Sequence, residues 1–242
     1  MIKWQKILRG NHSLKEPEIT EINHREIYRY LGCRGRIPEG ELTELVESCA
    51  AELLKRAEPR HILCRVPLEF IKPSHMKLAG MEIWSRDLGR NLRGCREAYL
   101  MAATLGFAPE QLIRRAEALG QQSRALIYDA AASAMIETYC DALNDALRKE
   151  VVAEGHVLRP RFSPGYGDLS LSLQTEFMRV LQLKRQLGIT LTESLLMLPS
   201  KSVTAVIGIA EAEKADGKEE GQLRCADCSQ EHCIYSYSEA EK

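Results

Sequence analysis

Between Glu41 and Ala57 apolar residues recur at three- and four-residue spacing, with Leu42, Leu45, Val46, Cys49, Ala50, Leu53 and Leu54 on one stripe. That period predicts an amphipathic helix packed by its apolar face. Ile22 to Leu31 predicts a shorter helix, stopped by Gly32-Cys-Arg-Gly35 and followed by a turn at Pro38-Glu-Gly40. Residues 1 to 20 are polar, broken by Pro17, and read as an arm or edge segment. From Arg60 to Ser85 the pattern shortens to β-like runs, His61 to Val66 and Met81 to Trp84, punctuated by Pro67, Pro73 and Gly80. Asp87 to Gly94 fits a helix or a loop.

Glu97-Ala-Tyr-Leu-Met-Ala-Ala-Thr-Leu-Gly106 is an apolar run short enough for a buried strand, although its alanines suit a helix equally; a strand is the expectation. Pro109 to Leu119 predicts a helix with proline in its first turn. Gln121 to Val151 predicts a long one, with Ile127, Ala131, Met135, Thr138, Ala142 and Leu143 facing a sheet. Leu173 to Leu187 reads as a helix stopped by Gly188. Leu195 to Leu198 and Val203 to Ile209 read as strands paired with each other around Pro199, and Ala210 to Gly221 as a solvated linker.

A chain of 242 residues is long enough to bury one substantial core. A net charge of −1 gives no global reason to expect nucleic acid or an anionic membrane as partner. The sequence holds neither an apolar run of the roughly 18 to 20 residues that a spanning helix needs nor a signal-peptide pattern at Met1, so the expectation is a cytoplasmic protein. Cys33, Cys49, Cys64, Cys95 and Cys140 are scattered among apolar neighbours and read as reduced core residues. His61 and His75 have no second ligand at metal spacing and read as hydrogen-bonded structural histidines.

Arg159-Pro-Arg-Phe-Ser-Pro-Gly-Tyr166 cannot continue a helix, and Pro164-Gly165 fits a tight turn with positive φ at the glycine. Arg161 and Tyr166 then flank the turn. A planar guanidinium beside an aromatic ring and free backbone groups suits a small ligand with both a carboxylate and a cation. Taken alone, such a loop is more often a connection than a site. Glu137 and Asp141 lie one helical turn apart, which by spacing alone describes a solvated carboxylate face. No Gly-x-Gly-x-x-Gly turn follows a first strand, against a doubly wound methyltransferase, and no nucleophile, base and orienting acid stand together for hydrolysis.

Arg161-Phe-Ser-Pro-Gly-Tyr166, Leu191-Thr-Glu-Ser194 and Met197-Leu-Pro-Ser-Lys-Ser-Val203, in that order, resemble the activation domain of cobalamin (vitamin B12)-dependent methionine synthase. The similarity covers about residues 95 to 210 and is densest over 159 to 209. It implies an α+β fold, a twisted, mostly antiparallel sheet flanked by helices, over residues 1–210, with 211–242 as a polar linker and cysteine-rich tail. It implies S-adenosylmethionine as ligand: Arg161 at the carboxylate end, Ser163 through its main chain, Gly165 in the turn, and Tyr166 beside the sulfonium. Glu137, with Glu154 as a weaker option, would balance the positive charge, and Asp141 is a weaker candidate for the ligand side of the helix. The implied role is that of an accessory subunit for reductive reactivation, with no complete catalytic site of its own. Its partners would be the cobalamin-binding methionine synthase modules, which carry the cobalamin, and an electron donor such as flavodoxin or ferredoxin.

The tail lies outside that resemblance. Cys225, Cys228 and Cys233, with His232, give a Cys-x2-Cys-x4-Cys pattern one ligand short of a closed zinc or iron–sulfur site. Exposed thiols, a bound metal completed by His232 or a distant cysteine, and a redox dithiol all fit that spacing. The alternative function is accordingly a metal or iron–sulfur redox or interaction module built on these cysteines.

Overall fold

The computed structural model describes residues 17–33 and 40–212. Its centre is β4 (Cys95–Thr104), in which every residue from Ala98 to Thr104 is buried. Side chains alternate across a strand, so Tyr99, Met101 and Ala103 enter one core while Ala98, Leu100 and Ala102 enter another. A strand covered on both faces reads as a continuous apolar run rather than an alternating one, and that is why the segment looked equally helical.

β1 (Arg60–Lys72) lies on one side of β4 and β8 (Ser202–Glu211) on the other. With β2 (His75–Leu78), β3 (Met81–Trp84) and β5 (His156–Leu158), they form a six-stranded sheet of order β3-β2-β1-β4-β8-β5, antiparallel at each pairing. The expected α+β class is the observed one. The long helix α5 (Gln122–Ala153) crosses the first face with α1 (His24–Tyr30), α2 (Glu41–Arg56) and α4 (Ala108–Ala118). At 1.5 Å per residue it spans about 48 Å. Ala130, Ala131, Ala132 and Ala134 are all buried, and their small side chains let α5 pack against sheet and helices together. The stripe continues through Tyr139, Cys140, Leu143 and Leu147, while Thr138 and Ala142 are only partly covered.

The second face is covered by α3 (Arg86–Asn91), α6 (Leu173–Val180) and α7 (Leu183–Gln186). Four expectations change. β1 does not stop at Pro67; it pairs with β4 as far as Pro67↔Glu97 and with β2 from Leu68↔Leu78 onward. The proline thus sits where the strand changes partner, and its missing donor interrupts neither ladder. The single helix expected over Leu173 to Leu187 is two, broken at Gln182 with φ 51° and ψ 43°. On a continuous helix Leu181 and Leu183 would face opposite ways; the break lets both be buried in the second core.

The third change concerns the strands near Pro199. β7 (Met197–Leu198) pairs with β6 (Thr190–Leu191), while β8 pairs with β4 and β5. The small hairpin closes on Thr192, whose amide donates to the Leu196 carbonyl at 2.9 Å. β8 is buried from Thr204 through Ala210 and needs a long partner, which β4 supplies with equal length. β8 also takes in Ala210 and Glu211, so the linker expected from Ala210 starts in strand.

His61 Nδ1 and the Tyr139 hydroxyl share a hydrogen bond of 2.8 Å, and His75 Nε2 meets Glu82 Oε1 at 2.9 Å, the structural roles expected of both histidines. Cys49, Cys64, Cys95 and Cys140 are buried and Cys33 is partly covered, all of them free thiols. Among the described residues, no helix is long and apolar enough to cross a membrane.

Candidate functional site

After β5 the chain keeps to the outer edge of β8. The Arg159 amide donates to the Gly208 carbonyl at 2.8 Å, and Phe162 and Val206 exchange both backbone hydrogen bonds at 2.9 Å. Gly208 is closely covered here: a Cβ there would lie 2.6 Å from Leu92 Cδ2, 2.7 Å from Cys95 Sγ and 3.2 Å from Arg159 Cγ. The turn itself forms as expected, with the Tyr166 amide donating to the Ser163 carbonyl at 3.1 Å and Gly165 at φ 87°. A second closure follows, the Gly165 amide donating to the Leu169 carbonyl at 2.8 Å.

Asp168 ties the far side of the loop to α3. Its carboxylate accepts from the Ser85 hydroxyl and from the Arg86 and Asp87 amides at 2.8 and 3.2 Å. The Ser85 hydroxyl and these amides hold the Asp168 carboxyl below its ordinary range, against the opposing effect of burial. Such a bond joins residues more than eighty positions apart, and nothing in the local sequence around Asp168 announces it.

Neighbouring loop residues turn to different surroundings. Phe162 is buried in the second core, and the Tyr166 ring stands edge-on to it at 5.4 Å while remaining 58% exposed. Arg161 reaches α5 instead. Its Nη1 donates to Asp141 Oδ1 at 2.8 Å and its Nη2 to Glu137 Oε2 at 3.1 Å. The Arg161 side chain is only 21% exposed, whereas those of Glu137 and Asp141 are 48% and 70% exposed.

The two carboxylates are therefore joined through one guanidinium rather than left as a purely solvated face. Burial pushes the Glu137 carboxyl above its ordinary value, partly offset by Arg161 and reinforced by Asp141. Burial opposes the charge on Arg161, but Cys140, Asp141 and Glu137 together hold its pKa above the usual value. Cys140, beneath this trio, is pushed up to about 12, foremost by burial, and stays a thiol. Glu154 belongs elsewhere: it lies about 25 Å further along α5 and accepts from Arg65 Nη1 at 2.6 Å.

Five residues named from the sequence, Glu137, Arg161, Ser163, Gly165 and Tyr166, thus share one loop and the helix face it touches. Cys225, Cys228, His232 and Cys233 lie outside the described residues, and among the described residues no group of three or more His, Cys, Asp or Glu is arranged to hold a metal ion.

A six-stranded antiparallel sheet with helices on both faces is an architecture already known in solved form. The fold matches the crystal structure of the MetH reactivation domain bound to AdoHcy, with a TM-score of 0.59 and 15% identity over 77% of this chain and 73% of that one. Residues 96–215 match the family model described as vitamin B12 dependent methionine synthase, activation domain, and that segment of the chain belongs to the family. The matched segment holds β4, α5, the loop and β8, hence the whole constellation just described. A search of curated proteins finds no match.

Proposed function

We propose that this chain is a reactivation module for a cobalamin-dependent methionine synthase, and that it holds S-adenosylmethionine along the Arg161 to Tyr166 loop while docked on the partner's cobalamin. The observation carrying this reading is the loop's composition in three dimensions. A guanidinium that can take a carboxylate, carboxylates that can take an ammonium or sulfonium, and an exposed aromatic ring lie on one short segment pinned to β8. That donor set fits the zwitterionic end of the ligand.

Arg161 binds the ligand's carboxylate, giving up one of its present partners to do so. Glu137 balances the positive charge. Ser163 contributes its main chain, Gly165 leaves room for close approach, and Tyr166 offers its ring to the sulfonium, worth about 0.5 to 2 kcal/mol. The ligand supplies the methyl group that the partner's cobalt accepts, and a separate donor such as flavodoxin or ferredoxin supplies the electron. The protein's own contribution is placement. In this reading residues 1–210 are the module and 211–242 a tail.

The test combines calorimetry and cobalt spectroscopy. Wild-type protein mixed with a cob(II)alamin-loaded methionine synthase lacking its activation module should take up S-adenosylmethionine, and with a reductant the cobalt spectrum should change to the methylated form. No heat up to millimolar ligand with the partner present would overturn the reading.

A further inference from the structure

The ligand proposed for this loop exists in two forms that share every group except one. The methylated sulfonium carries one net positive charge; the thioether left after methyl loss carries none. At the loop, a single guanidinium faces two carboxylates, with Nη1 at 2.8 Å from Asp141 and Nη2 at 3.1 Å from Glu137. Two further charges act on Glu137, Glu26 and Arg29 of α1, and they pair with each other at 2.5 Å and largely cancel. The trio therefore carries one surplus negative charge.

Glu137 alone would neutralise Arg161. Asp141 is the surplus group, and its side chain is 70% exposed, so the fold gains little from it. Resting on the reading of this loop as the S-adenosylmethionine site, we propose that Asp141 is a specificity-determining residue, whose extra carboxylate favours the sulfonium over the thioether and so shifts occupancy from spent ligand to fresh. Both forms present the same carboxylate to Arg161. Any competition between that group and Asp141 therefore cancels in the ratio of the two affinities, and the ratio isolates the charge at sulfur.

The experiment measures the Kd of S-adenosylmethionine and of S-adenosylhomocysteine by calorimetry for wild type, Asp141→Asn and Asp145→Asn, each checked for an unchanged melting temperature. Asp145 lies one turn further along α5, where it pairs with Arg148 at 2.7 Å, and serves as a control. Asp141→Asn should lower the preference for the sulfonium about two- to fivefold, the size expected of one exposed charge, and raised salt should shrink the wild-type preference. Asp145→Asn should leave it unchanged. If wild type binds both forms and Asp141→Asn leaves their ratio unaltered, this inference fails while the proposed function stands. If wild type binds neither, the proposed function fails first and this inference with it.

Discussion

The molecule contains the same three-charge arrangement twice. Arg161 bridges Glu137 and Asp141; Arg65 bridges Glu97 at 2.7 Å and Glu154 at 2.6 Å. The two arginine side chains are almost equally covered, 21% and 22% exposed. Their settings differ. Arg65 stands on β1, with Glu97 on the adjacent strand β4 and Glu154 at the C-cap of α5, so all three positions are fixed by regular backbone hydrogen bonding. Arg161 comes from an irregular segment, and its turn presents an exposed tyrosine. Identical chemistry thus fastens a helix end to the sheet in one place and, in the other, fastens the proposed ligand loop to α5. What separates the two trios is the irregular segment that carries Arg161.

The largest expected effect separates the two trios. Arg161→Ala should weaken S-adenosylmethionine binding at least a hundredfold, about 3 kcal/mol, in the range found when one partner of a covered charge pair is truncated. Each arginine bridges two part-exposed carboxylates, so either truncation should cost up to about 1 kcal/mol of stability, but Arg65→Ala should leave ligand affinity unchanged. Calorimetric titration and thermal denaturation of both variants decide the matter, and parallel losses of binding would erase the distinction.

Next in size is the seat of the loop. Gly208→Val places side-chain atoms where a Cβ alone would come within 2.6 Å of Leu92 and 2.7 Å of Cys95. Overpacking of that kind costs about 1 to 3 kcal/mol. Because β8 carries the loop through Gly208 and Val206, the same variant should lose ligand affinity too, whereas Arg65→Ala should not. A destabilised Gly208→Val protein with full affinity would show that the loop keeps its shape without this edge.

The residues of the loop were legible in the sequence because their geometry is local. A proline–glycine turn, the helix stop at Gly188 and the heptad-like stripe of α2 depend on neighbours within a few positions, and they appear as expected. Glu137 could be tied to Arg161 only through resemblance. The distance between them in the chain is closed by β5 docking on β8, a tertiary event with no periodicity. Asp168 was invisible for the same reason, since its partners Ser85, Arg86 and Asp87 lie more than eighty positions earlier in the chain. The misjudged pairing near Pro199 has a related cause. Proximity in sequence favoured a hairpin with Val203 to Ile209, but burial of β8 on both faces made a central position beside β4 the better place for that strand.

Asp168 offers a smaller test with a defined pH signature. Asp168→Asn should cost about 1 kcal/mol at neutral pH, as loss of a capping carboxylate does. The native carboxyl is held below its ordinary value of 3.8, so its stabilisation is present above that value and lost as pH falls through the lowered one. The gap in melting temperature between wild type and variant should therefore be widest near neutrality and close in strong acid. Glu137 works in the opposite sense. Burial raises its pKa, so the folded state binds that proton more tightly and acid favours the fold at this position. Glu137→Gln should widen no gap at low pH, and a variant whose gap grew in acid would contradict the assigned cause.

The smallest expected effect falls on Tyr166, and it returns to what distinguishes the two trios. The ring is 58% exposed and meets Phe162 edge-on at 5.4 Å, so Tyr166→Leu removes little packing and should leave the melting temperature within a degree or two. Loss of a ring face beside a sulfonium should weaken S-adenosylmethionine binding about two- to fivefold, the low end of the cation–π range at an exposed position. Tyr166→Phe keeps the face and should keep the affinity. The thioether has no cation for the ring to meet, so Tyr166→Leu should weaken it less. Equal losses for both ligands would mean that Tyr166 contributes contact area alone, and the open trio would then owe its selectivity to charge on α5 without help from the turn.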